Sequence, residues 1–498
     1  MTQRARQFII KHDHLVQRLL EMLPGFFSWG TIIFFFAGSF LIPLQIAYLV
    51  ILFDVFWLYK SVTFAASAIL SYWRIKASEK MDWLGELEFL PDWKKVHHFI
   101  IIPQYKEPLH ILERALTSLT KQDFPLKQLT VVLATEARDI ESPAKVAALQ
   151  KEFAGKFANL VVTVHTLVER EVAGKASNEN YAARWVKKNL IEKNNMDMRY
   201  MIITSSDADH CFSPKHFSSL TYAFLDDPNR YLHFWQPAVF YYNNFWRLPA
   251  ITRVVNTFGS IWNGAILSRK DRLISCQNYS LSFKLLDDVD YWNPEIIPED
   301  YHIFFKAYYK KQGRVETQPI FIPVYADAAE GETWWASVKN TYQQFQRWAW
   351  GVSDDPNVIK NYLLTPTVSF WDKTIRLFKL MEDHLLMPTN WFFITLGITI
   401  PTFFVKEFSK TAIGYTLPQT SGLMLSLCLV FLVVILVINA KQRPPRPSDF
   451  SRLRALLIPL EFVLMPISGL IFGAIPGLDA HTRLMLGKYL EYRVTKKF

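Results

Sequence analysis

Cysteine is scarce in this sequence, and its placement argues against a disulfide-stabilised or cysteine-ligated fold. Three cysteines occur in 498 residues. Cys211, Cys276 and Cys428 follow neither a disulfide framework nor a metal-binding spacing. Such usage is typical of a protein whose soluble part lies in a reducing compartment. The N-terminus lacks a short apolar core followed by a small-residue cleavage site, so we expect no cleaved signal peptide.

Motifs that read nucleic acids are also absent, although the chain is basic. The net charge is +10, from 55 Lys and Arg against 45 Asp and Glu. No zinc spacing, helix-turn-helix pattern or basic repeat accompanies this charge. Basic segments that flank membrane helices explain the charge better. We therefore expect no nucleic-acid partner.

Apolar residues are what the sequence has in excess, at 50% hydrophobic and 15% aromatic. Residues 28–53 carry no charge, and the apolar character continues to about Leu70, which leaves room for two spans of roughly 20 residues each. Basic residues flank this stretch on both sides, which favours an even number of crossings. We predict a basic, cytoplasmic, surface-lying segment over residues 1–27 and a transmembrane hairpin over 28–72.

The C-terminal third is predicted to be membrane-associated as well. Residues 366–387 place apolar and basic side chains at helical spacing, as in an amphipathic helix that lies along the bilayer. A C-terminal transmembrane region over 388–476 and a basic tail over 477–498 follow. Within that region, residues 456–475 are long enough to cross but are interrupted by two prolines and by Glu461. A re-entrant hairpin, which we favour, and a fifth crossing both remain open.

Between residues 83 and 361 the pattern becomes that of a soluble α/β domain. Strand-like runs at 96–103, 129–134, 160–164 and 201–204 alternate with helical segments. Such alternation predicts a Rossmann-like, mostly parallel sheet with right-handed crossovers. Ligands bind at the carboxyl edge of sheets of this kind.

Two carboxylates follow the strand at 201–204 directly. Asp207 and Asp209 cannot both be ionised in a shared pocket without a counter-charge. A hard divalent cation that holds a diphosphate would supply that charge. A solvated turn is the alternative, because Asp-x-Asp is common by chance.

Other polar groups fall at the same predicted edge. An aromatic side chain beside carboxylates suits a nucleobase and ribose, and Gly174-Lys175 before a helix suits a diphosphate. Ordinary loop polarity and a helix start are the respective alternatives. The candidates for binding a nucleotide donor are Pro103, Tyr105, Glu107, Glu136, Lys175 and Asp207.

Two further motifs lie downstream. Glu299-Asp300 opens a helical pattern, where a carboxylate is either functional or an N-terminal cap. The segment from Gln344 to Trp348 places Gln344, Arg347 and Trp348 on one helix face. These three groups suit a sugar or a diphosphate, and an aromatic belt at the membrane interface is the alternative.

Taken in order, these motifs resemble the membrane-embedded family 2 glycosyltransferases, which include the cellulose, chitin and hyaluronan synthases. Asp207-Ala208-Asp209 is similar to their D-x-D motif, Glu299-Asp300 to their E-D motif and Gln344–Trp348 to their Q-x-x-R-W motif. The resemblance covers about residues 100–351 and the flanking membrane segments. It implies a GT-A domain, a nucleotide-diphosphate sugar donor, with UDP expected, and inversion at the anomeric carbon.

The resemblance also implies roles for individual residues. Asp300 would be the catalytic base, with Glu299 beside it, and Asp209 would bind Mg²⁺ or Mn²⁺ with help from Asp207. Gln344, Arg347 and Trp348 would hold the donor diphosphate or the acceptor. The sequence departs from the family at Pro298, where Thr is frequent, and at Glu136, where a paired Asp is common. Residues 277–282 stand in place of the familiar acceptor loop, which leaves the acceptor and processivity open.

The predicted function is transfer of a sugar to a hydroxyl acceptor, carbohydrate or lipid-linked, in polysaccharide or glycan synthesis. The protein would be a multi-pass protein of the plasma (inner) membrane with a cytoplasmic catalytic domain. A transferase that adds one sugar to a lipid is the nearest alternative. A transporter or scaffold that only binds nucleotide is the non-enzymatic alternative.

Overall fold

An eight-stranded sheet forms the centre of the molecule. The computed structural model describes residues 3–491. Residues 1, 2 and 492–498 lie outside the described residues, and with them the end of the predicted basic tail. The strands are β1 (His97–Gln104), β2 (Leu129–Glu136), β3 (Asn159–His165), β4 (Met201–Ser205), β5 (Cys211–Phe212), β6 (His233–Phe240), β7 (Tyr279–Ser282) and β8 (Glu316–Tyr325).

The sheet is mostly parallel, as the sequence predicts. Its spatial order is β3-β2-β1-β4-β7-β6-β8-β5. In the first half of this order, β3, β2, β1 and β4 are parallel to one another. In the second half, β6 is parallel to β8. Ile100 of β1 pairs with Val131 of β2 and with Thr204 of β4, so the carboxyl ends of these three strands share one edge. The predicted fold class is confirmed, because long apolar helices flank this α/β domain on both sides in sequence.

Helices connect the strands and precede and follow the sheet. Their bounds are α1 (Gln3–Lys11), α2 (Asp13–Leu41), α3 (Pro43–Lys80), α4 (Trp83–Leu87), α5 (Leu109–Thr120), α6 (Ser142–Glu152), α7 (Lys175–Val186), α8 (His216–Asp226), α9 (Ala250–Ile266), α10 (Phe283–Asp288), α11 (Glu299–Lys310), α12 (Trp334–Ala349), α13 (Asp355–Leu364), α14 (Phe370–Phe404), α15 (Lys406–Ser409), α16 (Ala412–Gln442), α17 (Arg452–Leu457), α18 (Met465–Gly469) and α19 (Ile475–Met485).

The alternation of side chains along β1 explains why helices cover both faces of the sheet. Phe99 and Ile101 belong to a core shared with α7 and α11. Ile100 and Ile102 point to the other face and belong to a core shared with α5, α6 and α8. All four side chains are at most 1% exposed, and full burial of each contributes about 1.5–3 kcal/mol. A strand that is apolar on both faces is typical of a sheet covered by helices on both sides.

Within residues 3–491, five helices are long and apolar enough to span a membrane. They are α2, α3, α14, α16 and the segment Arg452–Met485, in which short 3₁₀ and π turns connect α17, α18 and α19. Large apolar side chains on them are exposed, among them Ile33 at 59%, Leu52 at 64% and Val430 at 58%. An exposed apolar surface of this extent suits contact with lipid.

Helix α14 differs from the expected pair of elements. The predicted interfacial helix over 366–387 and the span after it form one continuous helix that runs through Pro388. Its first half packs on the α/β domain, where the guanidinium of Arg376 lies 5.1 Å from the ring of Tyr308. Its second half packs on α2, with the rings of Phe393 and Phe35 4.3 Å apart. Packing on both sides lets the helix continue past a proline that lacks one backbone donor.

Buried ion pairs join the α/β domain to α3 and α14. Arg272, in the loop after α9, binds Glu382 and also Asp383, the latter at 2.9 Å. Lys60 of α3 donates to Glu382 at 2.6 Å. The side chains of Arg272 and Glu382 are only 8% and 9% exposed. This loop continues to Gln277, so the same segment contacts the membrane helices and the candidate active site.

Candidate active site

The two aspartates predicted to bind a metal lie in the loop after β4. All five residues of β4 are buried, and the Ser206 N–H donates to the carbonyl of Ile101 in β1 at 3.1 Å. This contact brings the loop to the carboxyl edge of the sheet. Asp209 is buried, and its Oδ2 accepts the backbone N–H of Asp327 at 2.7 Å. The side chain of Asp207 is 38% exposed, so it faces the accessible side of this edge.

Lys175 connects the predicted metal motif to the predicted catalytic motif. It is the first residue of α7 and is buried, and its Nζ lies 3.0 Å from Oδ1 of Asp207 and 3.0 Å from Oε1 of Glu299. Its third donor goes to the carbonyl of Gln277 at 2.9 Å. An ammonium group has three donors, and these contacts use all of them. The structure therefore brings together Lys175, Asp207 and Glu299, which are far apart in sequence.

Burial perturbs two glutamates beside Lys175. Burial raises the pKa of Glu299 to about 7, although Lys175 opposes the shift. Burial also raises the pKa of Glu179 to about 8, again against the effect of Lys175. Ser205 donates to Oε1 of Glu179 at 2.6 Å, and Oε2 is buried without a hydrogen-bond partner among the described residues. A protonated Glu179 suits this environment, because its carboxyl is then neutral.

Asp300 lies next to Glu299 and is held by backbone donors. Its Oδ2 accepts the N–H of Gln277 at 3.0 Å, and its Oδ1 accepts the N–H of Tyr301 at 2.9 Å. Burial raises the pKa of Asp300, against these two hydrogen bonds. The N-cap position of α11 is Pro298, so neither Glu299 nor Asp300 is the N-cap residue. Both oxygens of Asp300 are thus fixed in direction.

The loop that holds Asp300 has an unusual backbone. Gln277 has φ of 57°, a left-handed conformation that costs energy for a residue other than glycine. Its side chain donates to the hydroxyl of Tyr241 at 2.5 Å. Ser275 donates to the backbone carbonyl of Asp300 at 2.9 Å. Strained residues of this kind are frequent at functional sites.

His210 follows Asp209 and completes a cluster of three possible metal ligands. One ligand atom from each of Asp207, Asp209 and His210 lies within 4.8 Å of the others. Nδ1 of His210 lies 3.2 Å from the backbone N–H of Asp207 and 3.2 Å from the side-chain nitrogen of Asn278. A backbone N–H can only donate, so Nδ1 accepts and the neutral ring carries its proton on Nε2. These contacts hold the ring beside the two aspartates.

The residues present fit a divalent cation. Carboxylate oxygens are the ligands that Mg²⁺ and Mn²⁺ prefer, and Asp207 and Asp209 provide them at the accessible edge of the sheet. Asp209 is buried, with one oxygen on a backbone donor, which fixes the direction of the carboxylate. A divalent metal cofactor is thereby supported in general terms.

The predicted nucleotide-binding residues form a second group at the ends of β1 and β2. Glu136 is buried, and its Oε2 accepts a hydrogen bond from Nε of Arg138 at 2.6 Å. The Arg138 guanidinium lies 4.0 Å from the centre of the Tyr105 ring. Glu107 accepts the backbone N–H of Tyr105 at 2.5 Å. Pro103 lies within β1, two residues before Tyr105. The structure therefore places these candidates together, on the edge that also carries Asp207.

The predicted Gln-Arg-Trp face lies on α12 and contacts the loop that holds Asp300. The Trp348 ring packs on the Tyr241 ring with centroids 5.8 Å apart, and Tyr241 binds Gln277. Gln344 is 5% exposed, and its side-chain oxygen has no hydrogen-bond partner among the described residues. Arg347 lies one turn further along the same helix. Contacts thus run from Trp348 through Tyr241 and Gln277 to Asp300.

Several residues of this site were not among the predicted ones. Glu179 is four residues after Lys175 on a helix, so the two share a face, and this spacing could have indicated it. His210 directly follows Asp209 and is a common ligand type, which is a second available signal. Arg138 lies two residues after Glu136, which was predicted. Tyr241 had no local signal, because only the tertiary fold brings β6 beside the loop at Gln277.

Comparison with known proteins gives one family. Residues 202–439 match the model described as glycosyl transferase family group 2. The match begins in β4 and therefore includes both aspartates, the Glu299-Asp300 pair and the face on α12. Comparison with curated protein sequences gives no significant match.

Solved structures of glycosyltransferases are similar at low sequence identity. One is a mannosyltransferase from Pyrobaculum calidifontis in complex with GDP-Man and Mn²⁺. It is 16% identical, with a TM-score of 0.45 over 79% of this chain and 100% of that chain. Another is residues 1–349 of TarS from S. aureus in complex with UDP-GlcNAc, 15% identical with a TM-score of 0.37 over 72% of this chain and 97% of that chain.

The mostly parallel sheet, with acidic side chains at its carboxyl edge, has a fold of the GT-A type. The family match over residues 202–439 supports the same class, and the protein is a glycosyltransferase. The prediction that the protein is an enzyme of this class is confirmed.

Proposed function

We propose that the protein is an inverting membrane glycosyltransferase of the polysaccharide-synthase type. It would move a sugar from a nucleotide-diphosphate donor to a hydroxyl group of a carbohydrate or lipid-linked acceptor. The observation that carries the proposal is the contact of Lys175 with both Asp207 and Glu299. Through it, two motifs that are separate in sequence share one site, with Asp300 immediately beside them.

Asp300 is the general base of this proposal. Two backbone N–H groups fix its carboxylate oxygens, and burial raises its pKa. Both effects favour proton abstraction, because a base must be positioned and must bind a proton strongly enough at the working pH. Asp300 would take the proton from the attacking hydroxyl, whose oxygen forms the new bond at the anomeric carbon while the bond from that carbon to the diphosphate oxygen breaks and the nucleoside diphosphate leaves. Glu299 remains bound to Lys175 and sets the local charge.

The donor is proposed to lie along the edge formed by β1, β2 and β4. Asp209, with Asp207, would hold Mg²⁺ or Mn²⁺, which supplies positive charge for the departing diphosphate when it is bound. Tyr105 offers a ring, and Glu107 and Glu136 offer acceptors, for the base and ribose of a nucleotide, with UDP expected. Pro103 shapes the strand end beneath them.

Gln344, Arg347 and Trp348 on α12 are proposed to hold the diphosphate or the acceptor. The buried, unpartnered oxygen of Gln344 is available to accept a hydrogen bond from a hydroxyl group. The planar guanidinium of Arg347 is suited to a diphosphate in a way that a lysine is not. The contact of Trp348 with Tyr241 relates this face to the loop that positions Asp300.

The membrane arrangement we propose has four crossings, by α2, α3, the second half of α14, and α16. The segment Arg452–Met485 is proposed to remain on the catalytic side. Near its start, Glu461 pairs with Arg253 of α9 at 2.7 Å. Near its end, Asp479 accepts a hydrogen bond from Gln346 of α12. Both ends thus contact the α/β domain, which supports a re-entrant course over a fifth crossing.

In the same arrangement, the helices lie in the plasma (inner) membrane, and the proposed catalytic domain (83–361) lies in the cytoplasm. The proposed membrane elements around it are the basic segment 1–27, the hairpin 28–72, the interfacial stretch 366–387 and the region 388–476. The tail 477–498 would return to the cytoplasmic side. Basic flanks at 74–80 and 441–454 support this orientation.

The function is tested with the full chain purified in detergent or lipid nanodiscs. The protein is incubated with a panel of nucleotide sugars and with Mg²⁺ or Mn²⁺, and the product is identified by mass. We expect transfer from one donor class and loss of transfer in Asp209→Asn. Asp226→Asn, which changes an exposed aspartate at the end of α8, is the matched control and should keep activity. Absence of transfer from every donor, or full activity of Asp209→Asn, would contradict the proposal.

A further inference from the structure

A cavity of about 610 Å³ lies between α7, α11 and α13. Helix α11 lines it with His302, Lys306 and Lys310, and α13 lines it with Asn357 and Asn361. Each set recurs every four residues, so it forms one stripe along its helix. Cavities of this volume accommodate small organic ligands.

Helix α7 and the loop after α10 form the third wall of the cavity and add to its charge. Asn180 and Arg184 repeat the four-residue spacing on α7. Arg184 pairs with Asp290, a carboxylate of the lining, at 2.7 Å. Two further cations, Lys306 and Lys310, line the same space. The cavity therefore carries excess positive charge and suits an anion.

The uncharged part of the lining is rich in asparagine, and its aromatic side chains, Trp292 and Tyr309, are buried. Asn180, Asn293, Asn357 and Asn361 all line the cavity, and an amide both donates and accepts, as a sugar hydroxyl requires. The largest ring in the lining, Trp292, is only 1% exposed. Trp292 therefore offers no broad ring face on which a nucleobase could stack. Hydroxyl groups beside a negative charge match this surface better than a nucleotide does.

The cavity is separate from the proposed transfer site but shares two helices with it. Helix α7 begins with Lys175, and α11 begins with Glu299 and Asp300. The residues that line the cavity lie further along the same helices, and none of the proposed donor, metal or acceptor residues is among them. A ligand here would contact the helices that position the reacting groups without occupying their site.

We propose that this cavity binds an anionic sugar, a carbohydrate that carries a phosphate or a carboxylate group. The three cations bind the anionic group, and the asparagines bind the hydroxyl groups. The site is additional to the donor and acceptor sites of the proposed function. Its test measures equilibrium binding, so it does not depend on turnover.

The surroundings of Lys306 add a pH dependence to this binding. Burial lowers the pKa of Lys306 to about 8, in spite of Asp290 nearby. Arg184 and Lys310 also face it and oppose its charge, while His302, on the same stripe, is held by Asp354 at 2.7 Å. A bound anion favours the charged ammonium and raises its pKa. Above pH 8 binding must therefore take up a proton, and affinity falls as pH rises.

The probes are glucose 6-phosphate and glucuronate, with glucose and inorganic phosphate as references. Binding to the full chain is measured by calorimetry or equilibrium dialysis without donor. We expect one or both anionic sugars to bind at least tenfold more tightly than either reference. Which one binds distinguishes a phosphorylated ligand from a carboxylated one. Equal binding of inorganic phosphate would overturn the sugar part of the proposal, and no binding of either anionic sugar would overturn all of it.

Variants locate the site. Lys310→Gln removes an exposed cation of the lining and should weaken binding at least tenfold, without the risk to folding that Lys306→Gln carries. Lys306 donates to the carbonyls of Asp290 and Tyr291, so its loss can disturb the loop. Lys311→Gln is the matched control, because Lys311 pairs with an aspartate outside the cavity. Binding that survives Lys310→Gln but is lost in Asp209→Asn would assign the ligand to the transfer site and overturn the proposal.

Discussion

Replacement of Lys175 by Met tests the contact on which the proposed site depends. The ammonium of Lys175 lies 3.0 Å from carboxylate oxygens of both Asp207 and Glu299. Hydrogen bonds to charged groups contribute about 1.5–3 kcal/mol each. Two of them amount to about 3–6 kcal/mol, and each 1.4 kcal/mol is about tenfold in rate. If both carboxylates must keep this geometry during transfer, kcat/KM should fall by about 100-fold to 10,000-fold.

In Lys175→Met, the free energy of unfolding should be affected less than the rate of transfer. Removal of one partner of a buried ion pair usually costs about 3–5 kcal/mol. Here Glu299 can relieve the cost by taking up a proton, because burial already raises its pKa to about 7 and Lys175 is what holds it down. In the variant that pKa rises further, so Glu299 is neutral at pH 7. If transfer requires ionised Glu299, the acid limb of the pH–rate profile moves to higher pH.

The assay combines three measurements on the same preparation. Thermal unfolding reports the fold, steady-state transfer over a range of pH reports the reaction, and a metal titration reports the cation site. Loss of a positive charge beside Asp207 should lower the metal concentration needed for half-maximal activity. Lys175→Arg, which keeps the charge, should retain more activity than Lys175→Met. Turnover of Lys175→Met within threefold of the unchanged protein, with an unchanged pH profile, would contradict the proposed role of the Lys175 contacts.

Three other predictions concern α12, the membrane contacts and the topology. Arg347→Lys keeps the charge but loses the planar fork, so transfer should fall at least tenfold in protein that still folds; unchanged transfer would favour an aromatic belt at the membrane interface. Arg272→Gln leaves two carboxylates of α14 without this cation and should lower the free energy of unfolding by about 3–5 kcal/mol. Arg199→Gln, which removes an exposed pair, is the control and should leave the free energy of unfolding nearly unchanged, and equal effects would contradict a special role for the buried pair. Single cysteines placed near Arg6 and near Lys76 should react with a membrane-impermeant reagent only from the cytoplasmic side, whereas labelling of one of them from outside would exclude the hairpin.

The sheet was predictable because its strands are continuous apolar runs. Residues 129–134 are apolar on both faces, as a strand covered by helices must be, and β2 occupies Leu129–Glu136. The carboxyl ends of such strands are also where the carboxylates of the site occur. A polar residue that follows an apolar run is therefore a usable signal for a site at this edge.

Contacts between distant segments were not predictable in the same way. From its position after a glycine, Lys175 was predicted to contact a diphosphate. No sequence pattern indicates that it lies between Asp207 and Glu299. The hydrogen bond from Gln277 to Asp300 depends on a left-handed backbone at a glutamine, which sequence patterns rarely indicate. Helix α14 shows the related difficulty for boundaries. Pro388 suggested an end, but packing on both sides keeps the helix continuous.

The most direct test of the central claim is the rate of sugar transfer by Asp300→Asn, with donor binding measured on the same sample. Asn has nearly the same shape and can still accept one of the two backbone hydrogen bonds, but it cannot take a proton. General base catalysis contributes about 100-fold to 10,000-fold. We expect a loss of transfer in that range with donor affinity unchanged within about threefold. Transfer within tenfold of the unchanged protein, in a variant that binds donor normally, would contradict it.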